Sequence, residues 1–129
     1  LKAKQQADSA IKKYTELYDF SPSGYFTVSK EGIIVDVNHT GAIMLGANRI
    51  NLIHAKFRSF LCNDSKMEFD IFLDKIFINQ IRECCEICLE SKVRTQYAYL
   101  TGIITEDKQF CHISVVDITD LNLIGKTVS

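Results

Sequence analysis

Three cysteines lie within the five residues 84–88, CCEIC, where thiolates could bind zinc or form a redox pair. A zinc knuckle needs a tight turn, and the segment from Cys85 to Cys88 lacks the Gly or Pro that would make one. The alternation of Cys85 and Ile87 with polar neighbours instead predicts a strand, on which Cys85 and Cys88 point to opposite faces. A redox pair is typically found at a helix N-terminus, where the dipole lowers the pKa of a thiol. We therefore expect neither a metal site nor redox chemistry in this segment.

The three histidines, His39, His54 and His112, are far apart in the sequence, and none has a neighbouring set of metal ligands. The sequence also lacks a Ser/His/Asp order, a phosphate-binding glycine loop and a pair of carboxylates in an apolar cleft. An isolated His is more often a surface or packed residue than a ligand. These residues predict that the chain is not an enzyme and needs no metal.

Composition narrows the class of protein further. The 129 residues suffice for one domain, and 15 Lys+Arg against 16 Asp+Glu leave no net field that would favour nucleic acid. The apolar runs are far shorter than the roughly 20 residues that cross a bilayer, and the polar start is unlike a signal peptide. Five cysteines, an odd number, predict reduced thiols. We expect a cytoplasmic module that binds no nucleic acid and does not insert into a membrane.

The first nineteen residues predict an amphipathic helix, which the SPSG sequence at 21–24 ends. Apolar residues recur on one face at spacings of three and four, and Lys, Gln and Glu occupy the other face. That apolar face comprises Ala7, Ala10, Ile11, Tyr14, Leu17 and Tyr18. It could pack on its own domain or against the same helix of a second copy, since amphipathicity predicts a buried face without identifying its partner.

A hairpin and a short helix follow. The apolar stretches 25–28 and 33–37 flank Glu31-Gly32, a turn sequence, and predict two strands. Asn38 can cap a helix by accepting an N–H bond from Thr40 or Gly41. Gly46 suits the left-handed residue that ends such a helix.

The remaining chain predicts a long helix and three strands. Residues 47–62 predict a loop with one or two helical turns. A capping box of Ser65 and Glu68 predicts a helix from Ser65 to Asn79. Asn63 or Asp64 could cap this helix equally well. Alternation and β-branched residues predict strands at 82–90, 94–105 and 110–118. The order of elements predicts an α+β fold, a five-stranded antiparallel sheet with helices on one face.

Three segments in this order resemble a PAS domain. They are Tyr18-x-x-Ser21-Pro22-x-Gly24-Tyr25-Phe26, the set Gly32-Ile33-Ile34-x-x-Val37-Asn38 with Leu45-Gly46, and Val116-Asp117-Ile118-Thr119-Asp120. The resemblance covers nearly the whole chain. It implies a sensor module of a signalling protein, most often a histidine kinase or a cyclic-dinucleotide enzyme, with its last strand leading to an effector. We expect the amphipathic dimerisation helix at 1–19, the PAS domain at 20–120 and the start of the linker to the effector at 121–129.

The resemblance also suggests cofactors that this sequence does not match. Some PAS domains bind haem through a His on the long helix, and the predicted helix 65–79 has none. Others bind flavin through a Cys in an Asn-Cys-Arg-Phe-Leu segment, whereas the only Cys near Phe57-Arg58-Ser59-Phe60-Leu61 comes afterwards, at Cys62. We expect neither haem nor flavin, and a small apolar ligand is the alternative to a filled core.

Two groups of residues are candidates for function. A ligand between helices and sheet would contact apolar residues that we expect to face the interior, namely Phe26, Val28, Ile43, Phe57, Phe60, Phe69, Phe72 and Ile87. Asp117 and Thr119 would cap the outgoing helix and lead to the effector domain. We expect a homodimer through Ile11, Tyr14, Leu17 and Tyr18. The alternative is a ligand-free PAS-fold module that serves only for dimerisation or interaction.

Overall fold

The structure, a computed structural model, describes residues 2–91 and 95–120, with the side chains of residues 2–9 and 11 left aside. The helices are α1 (Lys2–Asp19), α2 (His39–Leu45), α3 (Arg49–Leu52) and α4 (Asn63–Asn79), with a 3₁₀ turn at Phe57–Phe60. The strands are β1 (Gly24–Ser29), β2 (Ile34–Val37), β3 (Glu83–Glu90), β4 (Thr95–Ile104) and β5 (Phe110–Asp117). The predicted linker at 121–129 lies outside the described residues.

The five strands form one antiparallel sheet in the order β2-β1-β5-β4-β3. β1 and β2 form the predicted hairpin, in which Gly32 takes a φ of +80° that a side chain would strain. β4 and β5 form the second hairpin, closed at Asp107, whose carboxylate accepts a hydrogen bond from the Gln109 N–H. The predicted α+β architecture is therefore confirmed.

The two faces of the sheet differ in what covers them. Residues such as Phe26, Leu100 and Ile113 point inward and are buried beneath α2, α4 and the segment between these helices. α4 approaches β4 closely at Gly102, where an added Cβ would lie 2.5 Å from Ile76 Cδ1 and 2.8 Å from Phe72 Cζ. The opposite face, which we call the outer face, carries partly exposed Tyr, Ile and Val side chains.

The predicted capping box of Ser65 is wrong. α4 begins two residues earlier, at Asn63, with Cys62 in the N-cap position. The Ser65 hydroxyl oxygen instead accepts a hydrogen bond from the backbone N–H of Cys88 at 2.9 Å. Because β3 is an edge strand, some of its N–H groups lack a strand partner. The Cys88 N–H therefore bonds Ser65 in place of the Glu68 N–H that the capping box would supply.

The connection between α2 and α4 contains the two short helical turns that the sequence predicts, and it also covers both edges of the sheet. Ile34 of β2 donates to the Ala55 carbonyl oxygen at 2.8 Å and accepts from the His54 N–H at 2.8 Å. At the other edge Leu61 forms a bridge with Leu89. Pairing of this kind protects edge strands from association with other chains. None of the helices in the described part of the chain is long and apolar enough to span a bilayer.

Candidate functional site

Four phenylalanines form a connected aromatic cluster between the helices and the sheet. The ring of Phe57 contacts Phe26 edge to face at a centroid distance of 5.0 Å and stacks on Phe69 at 4.9 Å. Phe69 is 6.0 Å from Phe72. All four are buried, and contacts at these distances add stabilisation beyond the burial of apolar area. The structure thus brings together four of the predicted pocket residues.

Three further predicted pocket residues also face this interior. Val28 and Ile87 are buried, and Phe60 is partly buried and packs against the hydrophobic core. Ile43 does not, and its predicted inward position is wrong, since its side chain is 65% exposed. It lies on the solvent side of α2, whose other face already buries Ala42, Met44 and Leu45. A helix of seven residues has too few turns for the sequence period to separate its two faces.

The interior leaves no room for a ligand where α4 crosses β4. Gly102 has no side chain, and Phe72, Ile76 and Cys111 come within van der Waals distance of the position that a Cβ would take. Ala98, on the same face of β4, is fully buried. Two small residues on β4 therefore allow α4 to contact the strand directly, which favours a filled core at this place.

Asn38 joins three elements at the point where the first helix meets the sheet. Its Oδ1 accepts from the Gly41 N–H at 2.9 Å, which caps α2, and from the Tyr25 N–H at 2.8 Å. Its Nδ2 donates to the carbonyl oxygens of Tyr18 at 2.6 Å and Ser23 at 3.1 Å. The side chain is fully buried, so every one of these bonds replaces water that Asn38 has lost. We call this residue and its partners the Asn38 junction.

Side chains reinforce the Asn38 junction on its exposed side. The Tyr18 hydroxyl donates to Asp36 Oδ2 at 3.1 Å, and its ring stacks on Tyr25 at 6.1 Å. Burial raises the pKa of Tyr18, and the charge of Asp36 raises it further. Arg49 forms ion pairs with Asp36 at 3.2 Å and Asp19 at 3.3 Å. Because Arg49 is half exposed, these pairs orient the end of α1 more than they stabilise it.

A second set of hydrogen bonds fixes the chain where it leaves the sheet. Asp117 Oδ1 accepts from the N–H and the hydroxyl of Thr119, and the Thr119 hydroxyl oxygen accepts from the Tyr97 N–H at 3.0 Å. The Ile118 N–H donates to the Tyr97 carbonyl oxygen at 2.8 Å. The backbone turns helical at Thr119 and Asp120. We call Tyr97, Asp117 and Thr119 the exit clamp, since they attach the outgoing chain to β4.

The apolar face of α1 is covered only in part by its own domain. Tyr18 packs on β1, whereas Tyr14 is 73% and Leu17 65% exposed, and the side chain of Ile11 is outside those described. Between α1 and the outer face of the sheet lies an open groove of about 850 Å³. Its lining includes Tyr14, Leu17, Tyr18, Tyr25, Ile103 and His112. We call it the outer groove.

Two of the five cysteines are joined, so the expectation of reduced thiols throughout is wrong. Cys62 and Cys88 form a disulfide across a Cα separation of 5.4 Å, between residues 26 positions apart. Cys84 is exposed beside Tyr99, whose hydrogen bond lowers the pKa of the Cys84 thiol. Cys111 is free and buried, and burial raises the pKa of its thiol to about 12. The zinc site and the redox pair considered from the sequence involved only cysteines within residues 84–88, whereas Cys88 pairs with the distant Cys62.

The histidines lie apart from one another. His112 is on the outer face, where its Nδ1 is 3.0 Å from the Thr27 hydroxyl oxygen. His39 lies beside the ring of Phe20 at 5.4 Å, and His54 takes a φ of +76° in the loop before the 3₁₀ turn. Across residues 2–91 and 95–120, no three His, Cys, Asp or Glu residues lie together in a group that could hold a metal ion.

Sequence reasoning missed several residues of these sites. The bond between Tyr18 and Asp36, the ion pairs of Arg49 and the Cys62–Cys88 disulfide each join residues at least 13 positions apart. No local period or spacing marks such contacts. Asn38, whose cap is local, and the pair Asp117 and Thr119 could be found from neighbouring residues, and the pattern of apolar residues identified the aromatic cluster.

The fold itself is of a known class, α+β with an antiparallel sheet and helices packed on one face. A PAS domain of an HTR-like protein from Haloarcula marismortui is similar over 91% of this chain and 98% of that chain, with a TM-score of 0.77 and 15% identity. A domain of a sensory box sensor histidine kinase/response regulator from Geobacter sulfurreducens is similar over 81% of this chain and 92% of that chain, with a TM-score of 0.67 and 17% identity.

A third similar structure is the PAS domain of the RpfR quorum-sensing receptor from Cronobacter turicensis in complex with BDSF. It matches 77% of this chain and 96% of that chain, with a TM-score of 0.70 and 16% identity. No family profile and no curated protein matches the sequence. This chain has the PAS fold, as the three sequence segments predict.

Proposed function

We propose that this chain is a PAS sensor module of a larger signalling protein, which passes a change in its core to its flanking helices. The observation that carries the proposal is the attachment of both ends of the domain through a few buried or half-buried bonds. The Asn38 junction holds the last turn of α1 through the Tyr18 carbonyl oxygen, and the exit clamp holds residues 117–119 on β4. Elements held in this way can move between two arrangements when one bond is exchanged.

The stimulus that we propose is a small apolar ligand or the state of a partner protein. The aromatic cluster of Phe26, Phe57, Phe69 and Phe72 is the surface that such a ligand would contact, since it lies between α4 and the sheet. The PAS domain of the Cronobacter receptor is in complex with BDSF, which supports the binding of a small ligand by a domain of this fold. Residues 2–91 and 95–120 present no recognisable catalytic constellation, and we propose that enzymatic activity resides in the effector.

Native mass spectrometry of the purified protein tests the ligand directly. A retained small molecule, lost on denaturation and absent from a Phe72→Ala variant, would support sensing. The matched control is Ile71→Ala, because Ile71 is half exposed on the same helix and should leave retention unchanged. A bare mass for the native protein, together with no thermal shift from a library of apolar ligands, would contradict ligand sensing.

A second candidate function is a ligand-free PAS-fold interaction module. The close contact of Phe72 and Ile76 with Gly102 favours it, because a ligand between α4 and β4 would need α4 to move outward. Under this alternative the module contributes only its surfaces, and substitutions in the aromatic cluster change stability without changing any ligand response.

We further propose a homodimer in which two α1 helices pack together beside the outer groove. An isolated helix of this length is marginal in water, and Tyr14 and Leu17 remain exposed on the single chain. Light scattering on a sizing column should give twice the chain mass for residues 1–129 and a single mass for a chain starting at Ser21. A dimeric shortened chain would place the interface on the sheet, and a monomeric full chain at tens of micromolar would refute the dimer.

The effector that we propose is a histidine kinase domain in the same chain, which also implies a cytoplasmic location because such a domain uses intracellular ATP. In that protein, Asp117→Ala should alter the dependence of kinase output on the stimulus. Asp107→Ala, in the β4–β5 turn, is the control, because Asp107 bonds only residues of its own turn in the described hydrogen bonds. Identical output from wild type and Asp117→Ala would contradict coupling through the exit clamp.

A further inference from the structure

The disulfide between Cys62 and Cys88 links the helical layer to the sheet. Cys62 occupies the N-cap position of α4, the 17-residue helix that carries Phe69 and Phe72 of the aromatic cluster. Cys88 lies in β3, the strand at the edge of the sheet. The bond therefore joins the start of α4 to the edge strand β3, two elements that follow each other in the chain.

Two hydrogen bonds accompany the disulfide. The Cys62 N–H donates to the Cys88 carbonyl oxygen at 2.9 Å, and the Cys88 N–H donates to the Ser65 hydroxyl oxygen at 2.9 Å. The Leu61–Leu89 bridge continues this pairing by one residue. Leu61, Cys62 and Ser65 are thus held at the edge of β3, with the covalent bond between Cys62 and Cys88 among these contacts. Reduction would leave the hydrogen bonds to hold the first turn of α4 in place.

The disulfide is also within reach of an external thiol. Cys62 and Cys88 are both partly exposed, and the strand on which Cys88 lies has no further strand beyond it in the described sheet. Cys111 differs, since it is fully buried in the core and its raised thiol pKa keeps it in the inert form. Cys84 is exposed on the same strand but is a free thiol, so among the described cysteines the pair at the sheet edge is the one that thiol exchange can open.

We propose that Cys62 and Cys88 form a reversible redox site, which takes a small thiol such as glutathione or a protein dithiol as reductant and which controls how firmly α4 is held on β3. This proposal is independent of the stimulus that the module senses. A thiolate attacks Sγ of Cys88, the S–S bond breaks, and Cys62 leaves as a thiolate that then takes a proton. A second thiol attacks the mixed disulfide and releases Cys88, so that two thiols become one external disulfide and two electrons reduce the protein.

The position of Cys62 favours its role as leaving group. The first N–H groups of a helix are unpaired and carry partial positive charge, which stabilises a thiolate at the N-cap. Asp64 in the first turn opposes this effect in part. In the reverse reaction, the Cys88 thiolate attacks an external disulfide and releases one thiol, and the Cys62 thiolate then attacks Sγ of Cys88, closes the protein disulfide and releases the second thiol. Reduction removes the covalent restraint from α4, the helix that carries Phe69 and Phe72. A looser attachment of α4 to β3 would therefore also loosen the packing of the aromatic cluster.

Peptide mapping and hydrogen exchange together test the proposal. The oxidised protein, alkylated without reductant, should show Cys62 and Cys88 joined and Cys84 modified. Incubation of the folded protein in glutathione buffers of graded ratio should give both forms in measurable amounts. The reduced form should show roughly tenfold faster amide exchange in the first turn of α4 and at Cys88, with global protection retained.

Variants separate the redox site from a purely structural crosslink. Cys62→Ser/Cys88→Ser should reproduce the exchange pattern of the reduced protein and should no longer respond to glutathione, whereas Cys84→Ser, on the same strand, should behave as wild type. If the double variant does not fold, the exchange of reduced and alkylated wild type provides the same comparison. Absence of the disulfide in oxidised protein, its resistance to dithiothreitol until denaturant is added, or unchanged exchange after reduction would each overturn the proposal.

Discussion

The inner and outer faces of the sheet are built from the same strands, whose side chains alternate between them, yet the two faces differ in how far they are buried. On β4, Ala98, Leu100 and Gly102 point inward and are buried under α4, whereas Tyr99 and Ile103 point outward and remain partly exposed. A contiguous apolar patch on an open face often marks an interaction site, whereas single exposed apolar residues are ordinary. The inner face therefore determines the stability of the fold, and we propose the outer face, together with α1, as the surface for association.

The largest loss in the free energy of unfolding should come from a substitution on the inner face. Phe72→Ala removes a buried ring that lies beside Phe69 and over Gly102, so it should lower the free energy of unfolding by about 3–5 kcal/mol. Urea denaturation measures this loss. The neighbouring Ile71→Ala should cost less than about 1 kcal/mol, because Ile71 is half exposed. Equal losses for the two variants would show that α4 presents its faces differently.

Gly102→Ala tests how closely α4 and β4 approach. The new methyl group would meet Ile76 and Phe72 at distances that real contacts do not reach, and overpacking costs about 1–3 kcal/mol. The loss of backbone freedom in the unfolded chain returns about 0.4–1 kcal/mol, so a net loss of about 1–2 kcal/mol is expected in the same denaturation experiment. Thr101→Ala, one residue away on the outer face, is the control. A stabilised Gly102→Ala protein would reveal an unfilled space beneath α4.

Tyr18 lies at the end of α1, beside Tyr25 on the outer face of the sheet. Its substitution should lower the free energy of unfolding by a smaller amount. Tyr18→Phe keeps the stacking on Tyr25 and removes the bond to Asp36, which should cost about 1 kcal/mol at a half-buried position. Because the pKa of Tyr18 is raised on folding, this contribution is complete below the ordinary pKa near 10.0 and is lost as the pH rises through the higher folded value. Thermal denaturation at pH 7 measures it, with the exposed Tyr14→Phe as control. No difference between the two variants would mean that Asp36 does not hold α1.

The smallest effect on stability should accompany the largest effect on assembly. Tyr14→Ser/Leu17→Ser should change the unfolding of the single chain by less than about 0.5 kcal/mol, because both side chains are exposed. Light scattering should nevertheless show a shift from dimer to monomer. A control with Lys12→Ser and Lys13→Ser, also exposed on α1, should stay dimeric. A dimer that survives the apolar substitutions would exclude α1 as the interface.

Local patterns in the sequence predict most of the fold, because alternation and cap chemistry act between residues a few positions apart. The strands, the long helix and the cap at Asn38 belong to this group. Ile43 is misplaced because seven residues do not define a face, and Ser65 is misassigned because a distant N–H of Cys88 competes with the local one. The Cys62–Cys88 bond and the Tyr18–Asp36 contact depend on tertiary proximity alone. The candidate site is therefore less predictable than the scaffold that holds it.

The exit clamp has a consequence for how such modules combine with other domains. On the β4 side two of its bonds use the backbone N–H and carbonyl oxygen of Tyr97, groups that every residue except proline supplies. The side chains in these bonds are those of Asp117 and Thr119, at the very end of the sheet. Recombination could therefore exchange everything after Asp120 and preserve these bonds. An attachment that lies entirely before the point of exchange makes the junction portable between proteins.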